Sequence, residues 1–261
     1  MVDRTLVMKF GGASVATPEH FSSIADLIIA KREMYSRLAI VVSAMGQTTN
    51  QLIDLAKQIH PDPPQREYDM LVSVGERISM SLLAMTLCRR GHEAISFTGS
   101  QSGILTCSHH AEARIIEVRP YRLINSLEQN KIVIVAGFQG VSLEKEVTTL
   151  GRGGSDTTAV ALAVALGADL VEFYKPVSGV FDRDPYLDPQ AIHHAQLNYA
   201  EALEIVEKGA RVLHPRAIQL AKKNGLPLCI RSFMSTHQNN EFTWIRDPSW
   251  PRQKLPLYEQ S

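Results

Sequence analysis

The sequence predicts an α/β protein, a three-layer α/β/α sandwich with a mainly parallel central sheet. Short apolar runs alternate with segments of helical periodicity along most of the chain, which is typical of parallel strands joined by helices. Several helical segments end in basic or polar residues followed by glycine, as at Arg90-Gly91 and Asn224-Gly225, and this is a common helix C-terminus. With 261 residues, 44% of them hydrophobic, the chain can form a substantial core in one large domain or two lobes.

The predicted elements follow one another along the chain. Strands are predicted for the apolar runs at residues 6–10, 38–43, 94–97, 132–136, 170–174 and 228–230. Helices are predicted at residues 18–36, 50–59, 68–90, 156–166, 199–208 and 215–224. The first helix has Pro18 at its first position, where proline is favoured. The proline-rich stretch 61–64 is a predicted surface loop, and the periodicity ends after Phe233.

Composition gives no reason to expect a nucleic-acid or membrane partner. Lys plus Arg equal Asp plus Glu at 27 each, so no net charge favours a polyanion or a membrane surface. The chain starts almost directly with a strand and shows neither a signal peptide nor a long apolar segment. We therefore expect a soluble, cytoplasmic protein.

The cysteines and paired histidines do not predict a metal or disulfide framework. The three cysteines are scattered and include no Cys-x-x-Cys pair, so we expect reduced and mostly buried thiols. The pairs 109–110 and 193–194 are His-His, and adjacent residues on a strand point to opposite faces. They are interpreted as surface residues, and no protein ligand of a metal is predicted.

A glycine-rich loop at residues 150–158, Leu-Gly-Arg-Gly-Gly-Ser-Asp-Thr-Thr, precedes a predicted helix. Its glycines allow a sharp turn and a close approach to a ligand, and Ser155 or Asp156 is predicted to cap the helix. The free N–H groups of a helix N-terminus favour an anion, and Arg152 adds a fork for a carboxylate or phosphate. On local pattern alone, an anion cradle and a plain helix-capping loop are equally favoured.

A second loop, residues 9–14, reads Lys-Phe-Gly-Gly-Ala-Ser between a predicted strand and a predicted helix. Its lysine precedes the glycines, so this is not a P-loop. A lysine at the end of a strand, facing backbone N–H groups, can neutralise a phosphoryl group during transfer. The alternative for the isolated motif is a surface lysine before an ordinary turn.

Several motifs in a fixed order together resemble the catalytic domain of the aspartate kinases, which belong to the amino-acid kinase superfamily. They lie at residues 9–14, 42–46, 73–76, 137–140, 151–158 and 212–215. The resemblance implies transfer of the ATP γ-phosphoryl group to the side-chain carboxylate of L-aspartate. The product would be 4-phospho-L-aspartate, an early intermediate toward lysine, threonine and methionine. ATP and Mg²⁺ are the implied cofactors, and a homodimer is the implied assembly.

The resemblance also implies a domain organisation. Residues 1–234 would form the kinase domain, with a substrate-binding N-terminal part and a nucleotide-binding part from about residue 150. Residues 235–261 would be a tail in the place where aspartate kinases have paired small regulatory domains. This tail would be either a docking segment or a stub left from a longer chain.

Individual roles follow from the same resemblance. Lys9, with the amides of Gly11 and Gly12, would stabilise the transferring phosphoryl group, and Asp156 would orient this lysine or a bound Mg²⁺. The implied substrate-binding residues are Ser43, Ala44, Thr48, Glu76, Arg152, Gly153 and Ser155. The implied nucleotide-binding residues are Gly11, Gly12, Ser14, Lys175, Gly179, Phe181, Asp184 and Arg211.

Elementary chemistry agrees with parts of this assignment. A carboxylate acceptor is already ionised near neutral pH and needs no general base. The amino-acid substrate carries an ammonium and an α-carboxylate, for which Glu76 and Arg152 supply the opposite charges. The alternative for Glu76 is a surface carboxylate paired with Arg77 or Arg89, although the glycine before it favours burial.

The segment 175–186, Lys-Pro-Val-Ser-Gly-Val-Phe-Asp-Arg-Asp-Pro-Tyr, departs from the family pattern. Two acidic positions are Pro176 and Ser178, and the usual arginine after Asp-Pro is Tyr186. Lys175 or Arg183 is the candidate replacement for that arginine near the phosphates. Two other functions stay open: a related kinase with another acceptor, and a weakly active or inactive kinase-like protein.

Overall fold

The computed structural model describes residues 4–210, 212–234 and 241–260. The helices within these ranges are α1 (Pro18–Lys31), α2 (Thr48–Ile59), α3 (Gln65–Val72), α4 (Val74–Arg89), α5 (Tyr121–Glu128), α6 (Gly154–Ala165), α7 (Tyr199–Glu207) and α8 (Pro215–Asn224). The strands are β1 (Thr5–Phe10), β2 (Arg37–Val42), β3 (Ala94–Phe97), β4 (Ile104–Thr106), β5 (Ile115–Val118), β6 (Ile132–Ala136), β7 (Gln139–Ser142), β8 (Val147–Thr149), β9 (Leu170–Lys175), β10 (Val180–Phe181), β11 (His193–His194), β12 (Gln196–Leu197), β13 (Leu228–Ser232) and β14 (Phe242–Ile245).

The central sheet has eight strands in the order β12-β14-β13-β9-β1-β2-β6-β3. Every pairing in it is parallel except that between β13 and β14. All the predicted strands lie in this sheet, with ends displaced by one or two residues at most. The predicted sandwich with a mainly parallel sheet is confirmed.

Two apolar cores cover the two faces of the central sheet. Side chains of β1 alternate between them, with Val7 in one core and Leu6 and Met8 in the other, as the period of two along a strand requires. Helices α1 and α4 cover the face of Leu6, and α5 to α8 cover the face of Val7. Because helices cover both faces of the sheet, its strands carry apolar side chains on both faces.

A second sheet, in the order β5-β4-β7-β8, was not predicted. Its strands have three or four residues each, too short to show the alternation that marks a strand. Strands β10 and β11 form a separate antiparallel pair. The small sheet matters for the site because β8 ends at Thr149, directly before the glycine-rich loop.

The predicted helix at 68–90 is two helices, α3 and α4, separated at Ser73. By length and composition alone, Gln65–Arg89 is apolar enough to cross a membrane. Helix α4 packs against α1, β3 and β6, which is the arrangement of a core helix. The first helix is also shorter than predicted and ends at Lys31, because the chain turns there and buries Tyr35.

The described part of the segment beyond residue 234 packs against the domain. Strand β14 pairs with β13 and β12 in the central sheet, and Tyr258 is buried in the core on the Val7 face. The prediction of mostly buried cysteines is wrong for Cys88, which is exposed, while Cys229 is buried.

Candidate active site

A cavity of about 1010 Å³ opens at the carboxyl ends of β1 and β2. These strands are parallel neighbours, so the loops that follow them meet at one edge of the sheet, the usual ligand position in such folds. The loops also contact each other, since the Gly46 amide donates to the Gly12 carbonyl at 3.1 Å. The predicted site residues that line the cavity are Lys9, Gly12, Ser43, Ala44, Glu76, Arg152, Gly153, Ser155 and Asp156.

The glycine-rich loop leads into α6, whose first turns are fully buried. Gly153 is the N-cap, with φ of 71°, and no side chain in the described part of the chain caps the helix. The predicted capping by Ser155 or Asp156 is therefore wrong, because Gly153 takes the cap position and Asp156 faces Lys9 instead. The positive end of α6 is thus directed at the cavity without a side-chain cap, which favours an anionic ligand there.

Gly153 is required by both its conformation and its surroundings. A Cβ atom added to it would lie 2.1 Å from Cγ of His214, and its positive φ is unfavourable for other residues. Replacing Gly153 by alanine is expected to lower the free energy of unfolding by about 3 kcal/mol, measured by urea denaturation.

Gly167→Ala is the matched control for this substitution. Gly167 has a similar φ of 61°, but an added Cβ would contact no atom of the described residues within 4 Å. Its backbone strain alone should cost about 1–2 kcal/mol. Equal losses in Gly153→Ala and Gly167→Ala would contradict the close packing of His214 on the loop.

Asp156 lies between two lysines. Its Oδ1 is 2.5 Å from the Nζ of Lys9, and its Oδ2 is 3.3 Å from the Nζ of Lys175. Lys9 is the fifth residue of β1, and Lys175 ends the neighbouring strand β9. Their ammonium groups therefore converge from adjacent strands on a carboxylate in the first turn of α6.

The three charges shift one another's ionisation. Burial opposes the ionised form of Asp156, but Lys175 and Lys9 outweigh it and lower its pKa to about 2. Burial lowers the pKa of Lys175 to about 8, since the attraction of Asp156 offsets only part of the effect of burial and of Lys9. A cluster with more cation than anion in a buried place is suited to hold phosphate oxygens.

Glu76 lies in the first turn of α4 and is buried. Its Oε1 accepts from the Ala44 amide at 3.1 Å, while its Oε2 is buried without a hydrogen-bond partner in the described part of the chain. A Cβ on Gly75 would lie 2.7 Å from Cβ of Ala44, so the glycine permits this close approach. The alternative of a surface carboxylate paired with Arg77 or Arg89 is excluded.

Burial raises the pKa of Glu76 to about 7, against the opposing effects of backbone amides and of Lys9. A buried carboxyl oxygen that has no hydrogen-bond donor among the described residues, like Oε2 of Glu76, is costly unless a ligand supplies the donor. Arg152 is exposed and lies on the same cavity, with no ion pair to any described residue. Glu76 and Arg152 thus offer an acidic and a basic group that can pair with the ammonium and carboxylate groups of an amino acid.

Seven of the described residues that were predicted for the site do not line the cavity, and Lys175, Gly11, Ser14 and Thr48 are four of them. Lys175 reaches the site through Asp156, and an added Cβ on Gly11 would be 3.7 Å from the Nζ of Lys9. Ser14 is buried and donates to the Tyr174 carbonyl, which ties the first loop to β9. Thr48 begins α2 next to Gly75, and its neighbour Thr49 lines the cavity in its place.

The predicted nucleotide segment forms a structure of its own beside the central sheet. An added Cβ on Gly179 would lie 2.4 Å from His193, whose ring contacts Phe181 edge-on at 5.2 Å. Asp184 is exposed and accepts from the Tyr186 amide. Arg183 is half-exposed and paired with two aspartates of its own loop. Of Lys175 and Arg183, the two candidate replacements for the missing arginine, Lys175 is the one beside Asp156. The predicted contact Arg211 lies outside the described residues.

Sequence reasoning missed part of the cavity wall. Asn50, Ile53 and Lys57 line it from α2, and their spacing places them on one helical face, a signal that was present in the sequence. Phe138 lines it with φ of 70°, inside the Gly-Phe-Gln-Gly motif. His110 was interpreted as a surface residue, but its Nδ1 lies 2.8 Å from the buried Asp69.

The described residues do not fit a protein-held magnesium site. Both carboxylate oxygens of Asp156 face lysines, so this carboxylate is already neutralised. Among the residues in ranges 4–210, 212–234 and 241–260, no group of three or more His, Cys, Asp or Glu side chains could hold a metal ion. The contacts of Asp156 agree with the other role suggested for it, which is to orient Lys9.

Comparison with known proteins places this geometry in a family. A sequence profile of the amino acid kinase family matches residues 4–232. The chain belongs to the amino acid kinase family. The aspartokinase of Bacillus sp. strain MGA3 is 48% identical over 233 residues, and that of Mycolicibacterium smegmatis is 48% identical over 231 residues. The alignments cover 89% and 88% of this chain but 57% and 55% of those relatives, so the chain spans little more than half of their length.

Solved structures agree with the family. The aspartate kinase from Synechocystis superposes with a TM-score of 0.84 at 42% identity, over 97% of this chain and 41% of that one. Aspartokinase III of E. coli in complex with aspartate and ADP superposes with a TM-score of 0.83 at 26% identity, over 94% and 65%. UMP kinase from Ureaplasma parvum shares the fold, with a TM-score of 0.68 at 16% identity. The resemblance to aspartate kinases is confirmed.

Proposed function

We propose that the chain carries the catalytic site of an aspartate kinase, which transfers the γ-phosphoryl group of ATP to the side-chain carboxylate of L-aspartate. One observation carries the proposal: a single cavity holds an unpartnered carboxyl oxygen of Glu76 and the exposed Arg152 beside the ion cluster of Lys9, Asp156 and Lys175. The crystal of E. coli aspartokinase III with aspartate and ADP supports both ligands.

Aspartate would bind through the ammonium and carboxylate groups on its α-carbon. The ammonium group donates to Oε2 of Glu76, which satisfies the buried oxygen. The α-carboxylate faces Arg152 and the open N-terminus of α6 at Gly153 and Ser155. Ser43 and Ala44 form the opposite wall, and Thr48, next to Thr49 of that wall, is a further proposed contact. This placement directs the side-chain carboxylate toward Lys9.

Transfer then depends on position and charge. An oxygen of the aspartate side chain forms a bond to the γ-phosphorus, while the bond from that phosphorus to the oxygen bridging to the β-phosphate breaks and ADP leaves with that oxygen. No proton has to be removed from an ionised carboxylate. Lys9 neutralises the charge on the transferring group, with the Gly11 and Gly12 amides beside it, and Asp156 keeps Lys9 in place.

The nucleotide would lie on the side of β9 and the segment that follows it. Lys175 supplies a second cation for the phosphates, where the family commonly has threonine. The other proposed contacts are Gly179, Phe181, Asp184 and Arg211. Mg²⁺ enters with ATP, and the phosphate oxygens provide its ligands. The kinase domain is proposed as residues 1–234, with the nucleotide part from about residue 150.

The aspartate affinity should depend on the ionisation of Glu76. Because its pKa is raised to about 7 in the free protein, Glu76 is largely protonated below pH 7 and must lose that proton to accept the ammonium group. The Kd for aspartate is expected to fall about tenfold per pH unit as the pH rises toward 7 and to level off above it. Calorimetry in two buffers below pH 7 should detect release of about one proton per site.

Glu76→Gln is the control for this pH dependence. Glutamine preserves the acceptor for the Ala44 amide but does not ionise. Its aspartate affinity should be weak and flat with pH. A wild-type Kd that is constant between pH 5.5 and 8 would contradict the assignment of Glu76 to the ammonium group.

A homodimer in the cytoplasm is proposed, and exposed apolar side chains support the dimer. Helix α4 exposes Val74, Ile78 and Met85, which share one helical face, and α2 exposes Leu55 and Ile59. An exposed apolar surface of this kind favours a protein interface. Light scattering should give twice the chain mass, and Ile78→Glu should give the monomer; an unchanged mass in this variant would place the interface elsewhere.

Hydroxylamine trapping tests the function. The protein is given Mg-ATP, hydroxylamine and one acceptor at a time, and acyl hydroxamate is measured. We expect product with L-aspartate and at most trace product with L-glutamate, with carbamate or with D-aspartate, because the charges of Glu76 and Arg152 fix the α-carbon. Product only with another acceptor would indicate a related kinase. No product, together with no ATP binding, would indicate a kinase-like protein without activity.

A further inference from the structure

The strongest feature outside the cavity is a strap, residues 252–260, that crosses the domain from α6 to β5. Arg252 contacts the carbonyl of Ala168 after α6, and the Asn224 side chain both accepts from the Leu257 amide and donates to its carbonyl. The Glu259 amide donates to the Ile115 carbonyl of β5. The strap is thus fastened at both ends and in the middle.

Glu259 ends this strap in a buried ion pair with Arg216. The Glu259 Oε1 lies 2.7 Å from Nε of Arg216, and Oε2 lies 2.9 Å from Nη2. The two side chains are 7% and 13% exposed. Oε2 also accepts from the Ile115 amide at 2.8 Å. This bidentate geometry fixes the plane of the guanidinium group.

Arg216 connects this ion pair to the substrate loop. Its Nη1 donates to the carbonyl of Leu150, and its Nη2 donates to the carbonyl of Ala113 at 3.0 Å. Leu150 immediately precedes Gly151, and the Ala113 amide in turn donates to Thr149. The guanidinium group therefore holds the backbone at Leu150, which leads into the loop carrying Arg152, and the neighbouring segment at Ala113, which is hydrogen-bonded to Thr149.

The same helix end holds the loop at a second point. The ring of His214 packs on Gly153, and His214 Nδ1 accepts from the amide of Arg216. A displacement of Arg216 would therefore move the loop at Leu150 and at Gly153 together. Where two reacting groups must be aligned, a displacement of about 1 Å in a positioning residue can lower the rate about a hundredfold.

We infer that Glu259 is a positioning residue for the substrate loop, acting through Arg216 on the backbone at Leu150. It contacts neither aspartate nor ATP, and its role is to hold the guanidinium group in the plane that both carbonyls need. The inference rests on the proposed function for its kinetic consequence, but its structural consequence is independent of any activity.

The test compares Glu259→Ala and the milder Glu259→Gln with Tyr258→Phe. The control removes only the buried hydroxyl group next to Glu259 in the same strap. Amide hydrogen exchange is followed in peptides covering residues 150–158 and, for comparison, β1 and β6. Hydroxamate formation gives kcat and the KM values for aspartate and ATP.

We expect Glu259→Ala to accelerate exchange at residues 150–158 by about tenfold or more and to raise the KM for aspartate about tenfold. Exchange in β1 and β6 and the KM for ATP should stay at wild-type values. Glu259→Gln should show a smaller effect of the same kind, and Tyr258→Phe none. Adding Glu259→Ala to Arg216→Ala should not accelerate exchange at residues 150–158 any further, because Glu259 acts on the loop only through Arg216.

Two results would overturn the inference. Exchange at residues 150–158 that stays at the wild-type rate in Glu259→Ala would remove the link to the loop. If exchange rises in β1 and β6 as much as at residues 150–158, Glu259 contributes only to the overall stability of the domain. If the wild-type protein forms no hydroxamate, the proposed function fails, whereas the exchange rates still decide the role of Glu259.

Discussion

Replacing Lys9 by alanine is expected to lower kcat for aspartyl phosphate formation by about a thousandfold or more. Lys9 is the cation at the edge where the aspartate carboxylate and the γ-phosphoryl group meet, and such groups act mainly on the transition state. The KM for aspartate should change little above pH 8, because Glu76 and Arg152 stay in place; closer to pH 7 it should rise, because Lys9 no longer lowers the pKa of Glu76. Steady-state kinetics with hydroxylamine trapping measures both constants.

The fold should survive this substitution. Asp156 retains its contact with Lys175, so no buried carboxylate is left without a cation. Lys31→Ala is the matched control, because it also removes a close ion pair, at 2.7 Å to Glu172, and Lys31 does not line the cavity. It should cost about 2 kcal/mol of stability and leave kcat unchanged. A fall in kcat of less than tenfold in Lys9→Ala would remove Lys9 from the transfer step.

Replacing Asp156 by asparagine should give the largest loss of stability. The substitution retains the shape but leaves two buried ammonium groups, Lys9 and Lys175, without their anion. Breaking a buried pair in this way costs about 3–5 kcal/mol. Urea denaturation at pH 7 measures the loss, and a variant as stable as the wild type at pH 7 would contradict the ion cluster.

The pH dependence of that loss has a definite sign. The pKa of Lys175 is lowered to about 8 in the folded protein, below its unfolded value, so the cost of burying its charge is full below pH 8 and is relieved as the pH rises further. Without Asp156 this pKa falls further still. The variant is therefore relieved of this cost at a lower pH than the wild type, so the difference in stability between the two should shrink as the pH rises toward 8 and should not shrink further through Lys175 above it.

The central sheet could be predicted from the sequence because its strands are buried on both faces. Runs such as 132–136 are apolar without interruption, and the boundaries of β6 match the prediction. The small sheet could not be predicted, because β4 and β8 have three residues each, too few to show the alternation that marks a strand. Strand β14 was also missed, since it has four residues and lies beyond the point where the periodicity of the sequence ends.

The cavity could be predicted from loops that follow strands, but its connections could not. The motifs brought Lys9, Glu76 and Arg152 together correctly. The contact between Lys175 and Asp156 depends on the pairing of β9 with β1, which only the sheet order reveals. The link from Glu259 to Arg216 joins residues 43 positions apart, and no local pattern marks either residue as a partner of the other.

The orientation of aspartate in the cavity is the central claim, and a crystal structure with L-aspartate and ADP tests it most directly. The ammonium group should lie on Oε2 of Glu76 and the α-carboxylate on Arg152. The side-chain carboxylate should face Lys9, leaving room for a phosphoryl group about 3–3.5 Å from the attacking oxygen. Aspartate bound in the reverse direction, with its α-carboxylate facing Lys9, would contradict the account.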